Sequence, residues 1–274
     1  MKKLAVVVVV VLSIVSIIAS KMHWDQKIEA KASVESESIV KDKPTLKEEK
    51  NSPKTKRELM KLTKNLDQAV INQIESAIDK QKQLQLVIVG STSTPETNGW
   101  PSLLKKQIEA EYGKELIKVT VKEIPGKTST EVVNEELYKE INELKPDVLL
   151  YEPFFLYDNG VLITTEKRLE NLSFMLGEFK SENPEIVTIL QPANPLYNAI
   201  HYPKEVTELM EYAVENDVIY LNHWEVWPNL NSEEMNDYVI QSGEENSGQP
   251  TEAGHQLWAD YLIDYFIANT DENE

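Results

Sequence analysis

The eleven residues Leu84–Thr94 read LQLVIVGSTST. Five of the first six side chains are apolar, and three of these five are β-branched. A short apolar run of this kind, followed by a glycine and four hydroxyl-bearing residues, is typical of a buried strand of a parallel sheet. We therefore predict a strand over Leu84–Val89, with the hydroxyl groups of Ser91–Thr94 in the loop at its carboxyl end.

Strand-like and helix-like segments alternate along the chain on both sides of this loop. The predicted strands are Leu84–Val89, Ile117–Ile124, Asp147–Tyr151, Ile186–Leu190 and Val218–Leu221. The predicted helices are Trp100–Tyr112, Thr128–Leu144, Thr165–Glu182, Pro203–Asn216 and Thr251–Ala268, with Thr128 and Thr251 as N-caps. This alternation predicts an α/β domain with a parallel sheet and helices on both of its faces. Sites in such sheets lie beyond the carboxyl ends of the strands.

The N-terminal segment has the pattern of a membrane anchor. Lys2 and Lys3 precede an apolar run over Leu4–Ala19, which predicts a signal anchor or signal peptide in residues 1–24, with the N-terminus inside. The candidate cleavage sites would have Ile17 or Ile18 at position −3, where a small residue is needed, so we favour an uncleaved anchor. The chain would then be a single-pass protein of the cell membrane with its domain outside the cytoplasm. Cleavage would instead give a secreted protein.

Two further segments separate this anchor from the domain. Residues 25–56 consist mainly of Lys, Glu, Ser and other polar residues, which predicts a charged, disordered linker. Residues 57–83 carry apolar side chains at a spacing of three and four, which predicts an amphipathic helix that packs on the domain formed by residues 84–270. Those apolar positions are Leu59, Leu62, Leu66, Val70, Ile74 and Ile78.

Composition excludes several classes of partner and chemistry. Residues 85–274 hold 12 Lys and Arg against 35 Asp and Glu, so this region repels nucleic acid, which we do not expect as a partner. The absence of cysteine excludes a disulfide framework, a thiol nucleophile and a Cys-ligated metal. The sequence has no glycine-rich phosphate loop and no histidine or carboxylate spacing typical of a metal site. We therefore expect neither a metal nor another cofactor.

Four blocks of sequence fall in the predicted strand-end loops and their flanks. They are Gly90–Thr92, Ile124–Thr128, Asp158–Gly160 and Asn246–Leu262. In their order and flanking residues these blocks resemble the SGNH (GDSL-type) hydrolases, over about residues 84–268. That family comprises esterases, lipases and carbohydrate deacetylases with a flavodoxin-like, three-layer α/β/α fold. The resemblance thus implies this fold and, with it, ester hydrolysis.

The same resemblance implies particular roles, and several of the residues at those positions are altered. The nucleophile, aspartate and histidine positions of the family correspond to Thr92, Asn246 and Gln249, and the oxyanion would be held by Gly126 and Asn159. A hydroxyl nucleophile needs a base that takes its proton and a group that orients this base. Gln249 cannot accept a proton at neutral pH, and Asn246 cannot offset the charge of an imidazolium. The ordinary mechanism therefore cannot run on these residues.

Aromatic and histidine residues are common in the same loops. Since rings stack on sugar faces, they suggest a carbohydrate-binding groove, and loop packing is the alternative. The candidate substrate-binding residues are Trp100, Tyr197, His201, His223 and Trp224. We expect His255 to have a surface or packing role, and Glu152 to be a cap or a buried hydrogen-bonding group, with a general base as the alternative.

Three functions remain open from the sequence. The chain can be a cell-surface hydrolase of O-acylated envelope polysaccharide, or of another small ester, with a rearranged catalytic set. It can be a non-catalytic relative that binds such a glycan, or a scaffold of envelope assembly. A base within hydrogen-bond reach of Thr92 or a neighbouring serine favours the first function. An open aromatic groove without such a base favours the second, and a filled pocket beside an exposed apolar patch favours the third.

Overall fold

A parallel sheet forms the centre of the domain. The computed structural model describes residues 54–269. Its five strands lie in the order β2-β1-β3-β4-β5, and all neighbouring strands are parallel. The strands are β1 (Leu84–Gly90), β2 (Ile117–Glu123), β3 (Val148–Tyr151), β4 (Val187–Leu190) and β5 (Ile219–Tyr220). Their carboxyl ends meet at one edge of the sheet, which we call the carboxyl edge.

Helices cover both faces of this sheet. Along the chain they are α1 (Lys56–Leu62), α2 (Gln68–Asp79), α3 (Gly99–Glu111), α4 (Ser129–Asn134), α5 (Tyr138–Glu143), α6 (Phe155–Gly160), α7 (Thr165–Glu182), α8 (Tyr202–Glu215) and α9 (Glu252–Phe266). Helices α1, α2, α3 and α9 contribute to one apolar core, and α4 to α8 contribute to the other. The predicted α/β fold with a parallel sheet is therefore confirmed.

The alternation of side chains along β1 assigns its residues to these two cores. Leu84, Leu86 and Ile88 are buried in the first core, and Val87 and Val89 are buried in the second. Because successive side chains of a strand point to opposite faces, an apolar run without alternation is needed where both faces are covered. This is the reason that LQLVIV forms a central strand.

Two predicted helices are each divided in the structure. The helix predicted within residues 57–83 consists of α1 and α2, and Leu66 in the connection between them is also buried. The apolar spacing therefore continues although the helix is interrupted between α1 and α2. The helix predicted over Thr128–Leu144 consists of α4 and α5, which are separated at Glu136, where φ is 57°. The left-handed conformation at this residue interrupts the helix.

The two predicted N-caps are confirmed by hydrogen bonds. The side chain of Thr128 accepts a hydrogen bond from the amide of Glu131, whose carboxylate accepts one from the amide of Thr128, which is a capping box. The Thr251 hydroxyl accepts a hydrogen bond from the Gly254 amide at 3.2 Å. The two caps fix where α4 and α9 begin.

The predicted anchor and most of the predicted linker lie outside the described residues. Within residues 54–269, no helix is both long and apolar enough to cross a membrane. The anchor over residues 1–24 therefore stays a prediction of the sequence.

A stack of three rings ties the loops of the carboxyl edge to the first core. Trp100 of α3 stacks on Trp258 of α9 at 4.6 Å between ring centroids, and Trp258 stacks on His223 at 4.0 Å. Each ring also donates one hydrogen bond to a loop. Trp100 donates to the Ser93 carbonyl at 2.9 Å, Trp258 to the Gln191 side chain at 3.1 Å, and His223 to the Pro192 carbonyl at 3.0 Å. The loops after β1, β4 and β5 are thereby fixed relative to one another.

We expect Trp258→Ala to lower the free energy of unfolding of the full chain by about 3 to 5 kcal/mol, since it removes a large, fully buried ring. Chemical denaturation followed by far-ultraviolet circular dichroism measures this loss. Phe174→Ala is the control, because Phe174 is 42% exposed. A loss in the control as large as that in Trp258→Ala would contradict the central role of the stack.

Candidate functional site

A buried carboxylate organises the loop that follows β1. Glu152, directly after β3, accepts hydrogen bonds from the Ser91 amide at 2.9 Å, the Ser91 hydroxyl at 3.0 Å and the Thr94 hydroxyl at 2.8 Å. Its side chain is fully buried, and this burial raises the pKa of Glu152 to about 8, although the hydrogen bonds act in the opposite direction. Burial therefore favours the protonated form of Glu152.

The close approach of Glu152 explains the glycine at the end of β1. A Cβ atom at Gly90 would lie 2.4 Å from the Glu152 carboxylate and 2.3 Å from the Thr94 hydroxyl. No side chain fits at this distance, so the loop requires glycine here. The Gly90 that resembles the family motif is thus explained by packing against Glu152.

The hydroxyl of Thr92 lies between two hydrogen-bond donors. Tyr157 of α6 donates its phenol proton to Thr92 Oγ1 at 2.7 Å, and the Gly126 amide donates to the same oxygen at 3.3 Å. Gly126 has a φ of 66°, which turns the loop after β2 towards Thr92. The structure thus brings together Thr92 and Gly126, two residues that the sequence places in one site.

This geometry determines what the Thr92 hydroxyl can do. A hydroxyl oxygen has two lone pairs and one proton, and the two donors engage both lone pairs. A nucleophile needs a free lone pair and a base for its proton. Within residues 54–269, no carboxylate or imidazole hydrogen-bonds to Thr92. In this arrangement Thr92 has its proton free, so it can donate a hydrogen bond to an acceptor atom of a ligand.

The other two residues at the positions that resemble the family's catalytic residues, Asn246 and Gln249, do not hydrogen-bond to Thr92 in the structure. The Ser93 hydroxyl donates to Asn194 Oδ1 at 2.8 Å, and Gln249 Oε1 lies 3.4 Å from the same hydroxyl. Asn194 in turn donates to the Gly248 carbonyl at 2.9 Å. These contacts join the segment before α9 to the loop after β1. Asn246 is exposed, with a φ of 60°.

Two histidines have structural roles, His223 in the core and His255 beside the start of α3. His223 is fully buried, donates through Nε2 to Pro192, and accepts through Nδ1 a hydrogen bond from Trp227 at 3.0 Å. Burial lowers its pKa to about 3, so the ring is neutral. His255 accepts a hydrogen bond from the Trp100 amide at 3.3 Å, and burial lowers its pKa to about 4. The predicted ligand contact of His223 is therefore wrong for this structure, because both ring nitrogens are paired within the core.

The structure places part of the predicted aromatic groove in the core and leaves part of it exposed. Trp100 is 0% exposed, which removes it from any ligand surface and corrects its assignment as a substrate-binding residue. Trp224 is partly buried, and its indole donates to the Ala193 carbonyl at 2.7 Å. Tyr197 and His201 are exposed in the loop after β4. Asn159 is partly exposed on α6, two residues after Tyr157. Tyr157, and not Asn159, donates to Thr92.

The described residues contain no group of three or more histidine, aspartate or glutamate side chains that could hold a metal ion. The polar groups that converge on Thr92 are a phenol and a backbone amide, both of them donors. Such a pair suits an acceptor oxygen rather than a cation.

Comparison with solved structures identifies the fold. A protein assigned to the G-D-S-L lipolytic family from Desulfitobacterium hafniense matches with a TM-score of 0.53 and 18% identity, over 67% of this chain and 99% of that one. A carbohydrate esterase of family 3 from Talaromyces cellulolyticus matches with a TM-score of 0.55 and 13% identity, over 66% and 95%. This chain has the SGNH hydrolase fold.

A third match is a variant of an acetyl-xylooligosaccharide esterase from Geobacillus stearothermophilus. Its TM-score is 0.51 and its identity 14%, over 70% of this chain and 97% of that one. No family model and no curated protein matches the sequence. The likeness is therefore one of fold. The roles of Thr92, Asn246 and Gln249 must be inferred from the contacts that they make in this chain.

Sequence reasoning missed the contact of Tyr157 and the loop-joining role of Asn194. Tyr157 directly precedes the block Asp158–Gly160, but no pattern in the sequence pointed to its contact with Thr92. Asn194 lies in the loop after β4, and its two partners are distant in the sequence. The one signal in the sequence that could have indicated Tyr157 and Asn194 is that both follow the end of a predicted strand.

The buried carboxyl of Glu152 predicts a particular pH dependence of stability. Its folded-state pKa of about 8 lies above the ordinary value of 4.5, so between these values the folded state binds a proton that the unfolded state has lost. Stability contributed by this group therefore falls as pH rises through this window. We expect Glu152→Gln, which mimics the protonated acid, to remove a slope of roughly 1 kcal/mol per pH unit.

Denaturant titrations of wild type and variant from about pH 5 to pH 8 measure this difference in slope. Glu211→Gln on α8 is the control, because it makes the same change in charge at an exposed position. Identical slopes in wild type and Glu152→Gln would show that Glu152 is ionised throughout.

Proposed function

We propose that this chain binds the acyl ester group of a ligand at Thr92 and does not hydrolyse it through the family's catalytic residues. One observation carries the proposal: both lone pairs of the Thr92 hydroxyl are engaged by Tyr157 and Gly126, and within residues 54–269 no carboxylate or imidazole hydrogen-bonds to it. The free proton of Thr92 would be donated to the carbonyl oxygen of the ester. The SGNH fold supports an ester as the ligand, because two of the matching structures are named as esterases.

The ligand that we propose is an O-acylated polysaccharide of the cell envelope. The match named as an acetyl-xylooligosaccharide esterase supports an acylated glycan, although only through a similar fold. The apolar run after Lys2 and Lys3 supports a position at the outer face of the cell membrane. There the domain would meet envelope polysaccharide.

A second candidate function, hydrolysis by a rearranged catalytic set, is favoured by one observation. Glu152 has a pKa of about 8 and lies 3.0 Å from the Ser91 hydroxyl, so its ionised form could act as a base for this hydroxyl. Both side chains are 0% exposed. An ester could reach them only after the loop over Ser91–Thr94 moves, so binding at Thr92 is the better supported function.

The first experiment is a turnover assay of the full chain on p-nitrophenyl acetate and acetylated xylan, beside Thr92→Ala, Ser91→Ala and Glu152→Gln. We expect no turnover above that of the variants. Turnover that falls in Thr92→Ala would overturn the proposal, and turnover that falls in Ser91→Ala and Glu152→Gln would establish the rearranged set.

The second experiment measures binding of acetylated xylooligosaccharides by saturation-transfer difference NMR, with deacetylated oligosaccharides as the control ligand. We expect a signal of the acetyl methyl groups with wild type. Thr92→Val should weaken the affinity about 3- to 10-fold, which corresponds to one hydrogen bond. An unchanged affinity in Thr92→Val would contradict the role of this hydroxyl.

A further inference from the structure

The two donors of the Thr92 hydroxyl come from different loops of the carboxyl edge. The Gly126 amide belongs to the loop between β2 and α4, and the Tyr157 phenol belongs to α6, which follows β3. The strands fix where these loops begin, but not how they lie relative to each other. One hydroxyl accepts from both donors only if the two loops are held at a definite distance. The arrangement therefore requires a contact that joins the two loops.

The carboxyl group of Asp158 makes this contact. Asp158 Oδ1 accepts a hydrogen bond from the Ser129 amide at 2.8 Å. Asp158 directly follows Tyr157 on α6, and Ser129, the first residue of α4, lies three residues after Gly126. Among the described residues, no other hydrogen bond joins the segment from the end of β2 to the end of α4 with the segment from the end of β3 to the end of α6. Asp158 therefore connects the two donors of Thr92.

Both partners of this bond are buried. The Ser129 hydroxyl also accepts a hydrogen bond from Asn171 of α7 at 2.9 Å, and the side chains of Ser129, Asn171 and Asp158 are at most 2% exposed. Asp158 Oδ2 has no hydrogen-bond partner within residues 54–269. A buried carboxyl group without any donor is strongly unfavourable. The bond from the Ser129 amide is therefore expected to persist whenever the domain is folded.

Three hydrogen bonds thereby form a closed arrangement, which we call the hydrogen-bond ring. It runs from Thr92 to Gly126, along the chain to Ser129, across to Asp158, and through Tyr157 back to Thr92. A closed ring leaves few relative movements open to its two loops, because a movement that lengthens one bond also disturbs the others. The bond between α4 and α6 thus affects whether both donors reach the same oxygen.

We propose that Asp158 is a positioning residue of the Thr92 site. It holds the Gly126 amide and the Tyr157 phenol on one oxygen, so that both lone pairs of Thr92 stay engaged and its proton stays available to a ligand. This inference rests on the proposed function, in which that proton is donated to an ester carbonyl. Without the Asp158 bond, one donor moves away, and Thr92 regains a free lone pair and the freedom to rotate. The ligand then loses a directed donor.

Four variants separate this role from general packing. Asp158→Ala removes the acceptor, and Ser129→Pro removes the donor. Proline is tolerated at the first position of a helix, and the preceding Thr128 already has an extended conformation that suits it. Asp158→Asn retains an oxygen that can accept from the Ser129 amide. Val132→Ala is the control, because it removes apolar packing from α4 at a fully buried position outside the ring.

The first measurement is amide hydrogen exchange of Gly126 in the full chain without ligand, resolved to single residues by electron-transfer fragmentation. Thr92→Val gives the rate that Gly126 has without its bond to the hydroxyl. We expect Asp158→Ala and Ser129→Pro to raise the rate towards this value, and Asp158→Asn and Val132→Ala to stay near wild type. An unchanged rate in both bridge-breaking variants, or an equal rise in Val132→Ala, would overturn the proposal. Equal rates in wild type and Thr92→Val would refute the ring itself.

The second measurement is the affinity for acetylated xylooligosaccharides. Asp158→Ala should weaken it about 3- to 10-fold, as Thr92→Val does, because each removes the same directed hydrogen bond. The double variant should show no further loss, which a purely structural effect of Asp158 would not produce. A double variant in which the two losses multiply would show that Asp158 acts independently of Thr92, contrary to the proposal.

The two measurements distinguish this inference from the proposed function. If wild type does not bind the acetylated ligand, the proposed function fails, and the exchange of Gly126 still decides the role of Asp158. If binding depends on Thr92 but not on Asp158, the positioning role alone is refuted.

Discussion

The stack of Trp100, Trp258 and His223 is the interaction on which the candidate site depends. It joins α3 and α9 across the first core, and each of its rings donates a hydrogen bond to a loop of the carboxyl edge. Strands of a parallel sheet end at a common edge, but their loops are otherwise independent of one another. The stack removes this independence for the loops after β1, β4 and β5, because a movement of one loop would disturb a close-packed set of rings. The histidine of the stack, His223, is neutral, because a charged imidazolium in this buried position would lose its hydration.

The buried carboxyl of Glu152 is a second constraint on the loop after β1. The carboxyl of Glu152 receives hydrogen bonds from both ends of Ser91–Thr94, and its approach is the reason that β1 ends in a glycine. The loop is thus held in place by its hydrogen bonds with Glu152 and with Trp100. This leaves the Thr92 side chain, which is half-buried, directed to the donors of Tyr157 and Gly126.

The SGNH fold and the chemistry of its usual site are separable in this chain. The sheet, the glycine after β1 and the closing helix with its Thr251 cap are all present, and each has a packing or hydrogen-bonding reason that does not involve catalysis. The residues at the positions that resemble the family's catalytic residues are Thr92, Asn246 and Gln249, which differ from the residues that the family uses. A hydroxyl that accepts two hydrogen bonds and contacts no base is suited to binding an acceptor atom. The fold therefore does not decide the chemistry of the site, which depends on the residues present there.

The sequence by itself determined the α/β fold, the positions of the strands, the caps at Thr128 and Thr251 and the location of Thr92 at a strand end. These features depend on local patterns: apolar runs, capping residues and the order of segments. The interruptions of the helices at Glu136 and between α1 and α2 could not be predicted from apolar spacing, because the spacing of buried side chains continues through them. Only the tertiary structure decided that Trp100 and His223 belong to the core, that Tyr157 contacts Thr92, and that Asp158 joins α6 to α4. Whether a ring packs inside or faces a ligand depends on partners distant in the sequence, and no local pattern contains that information.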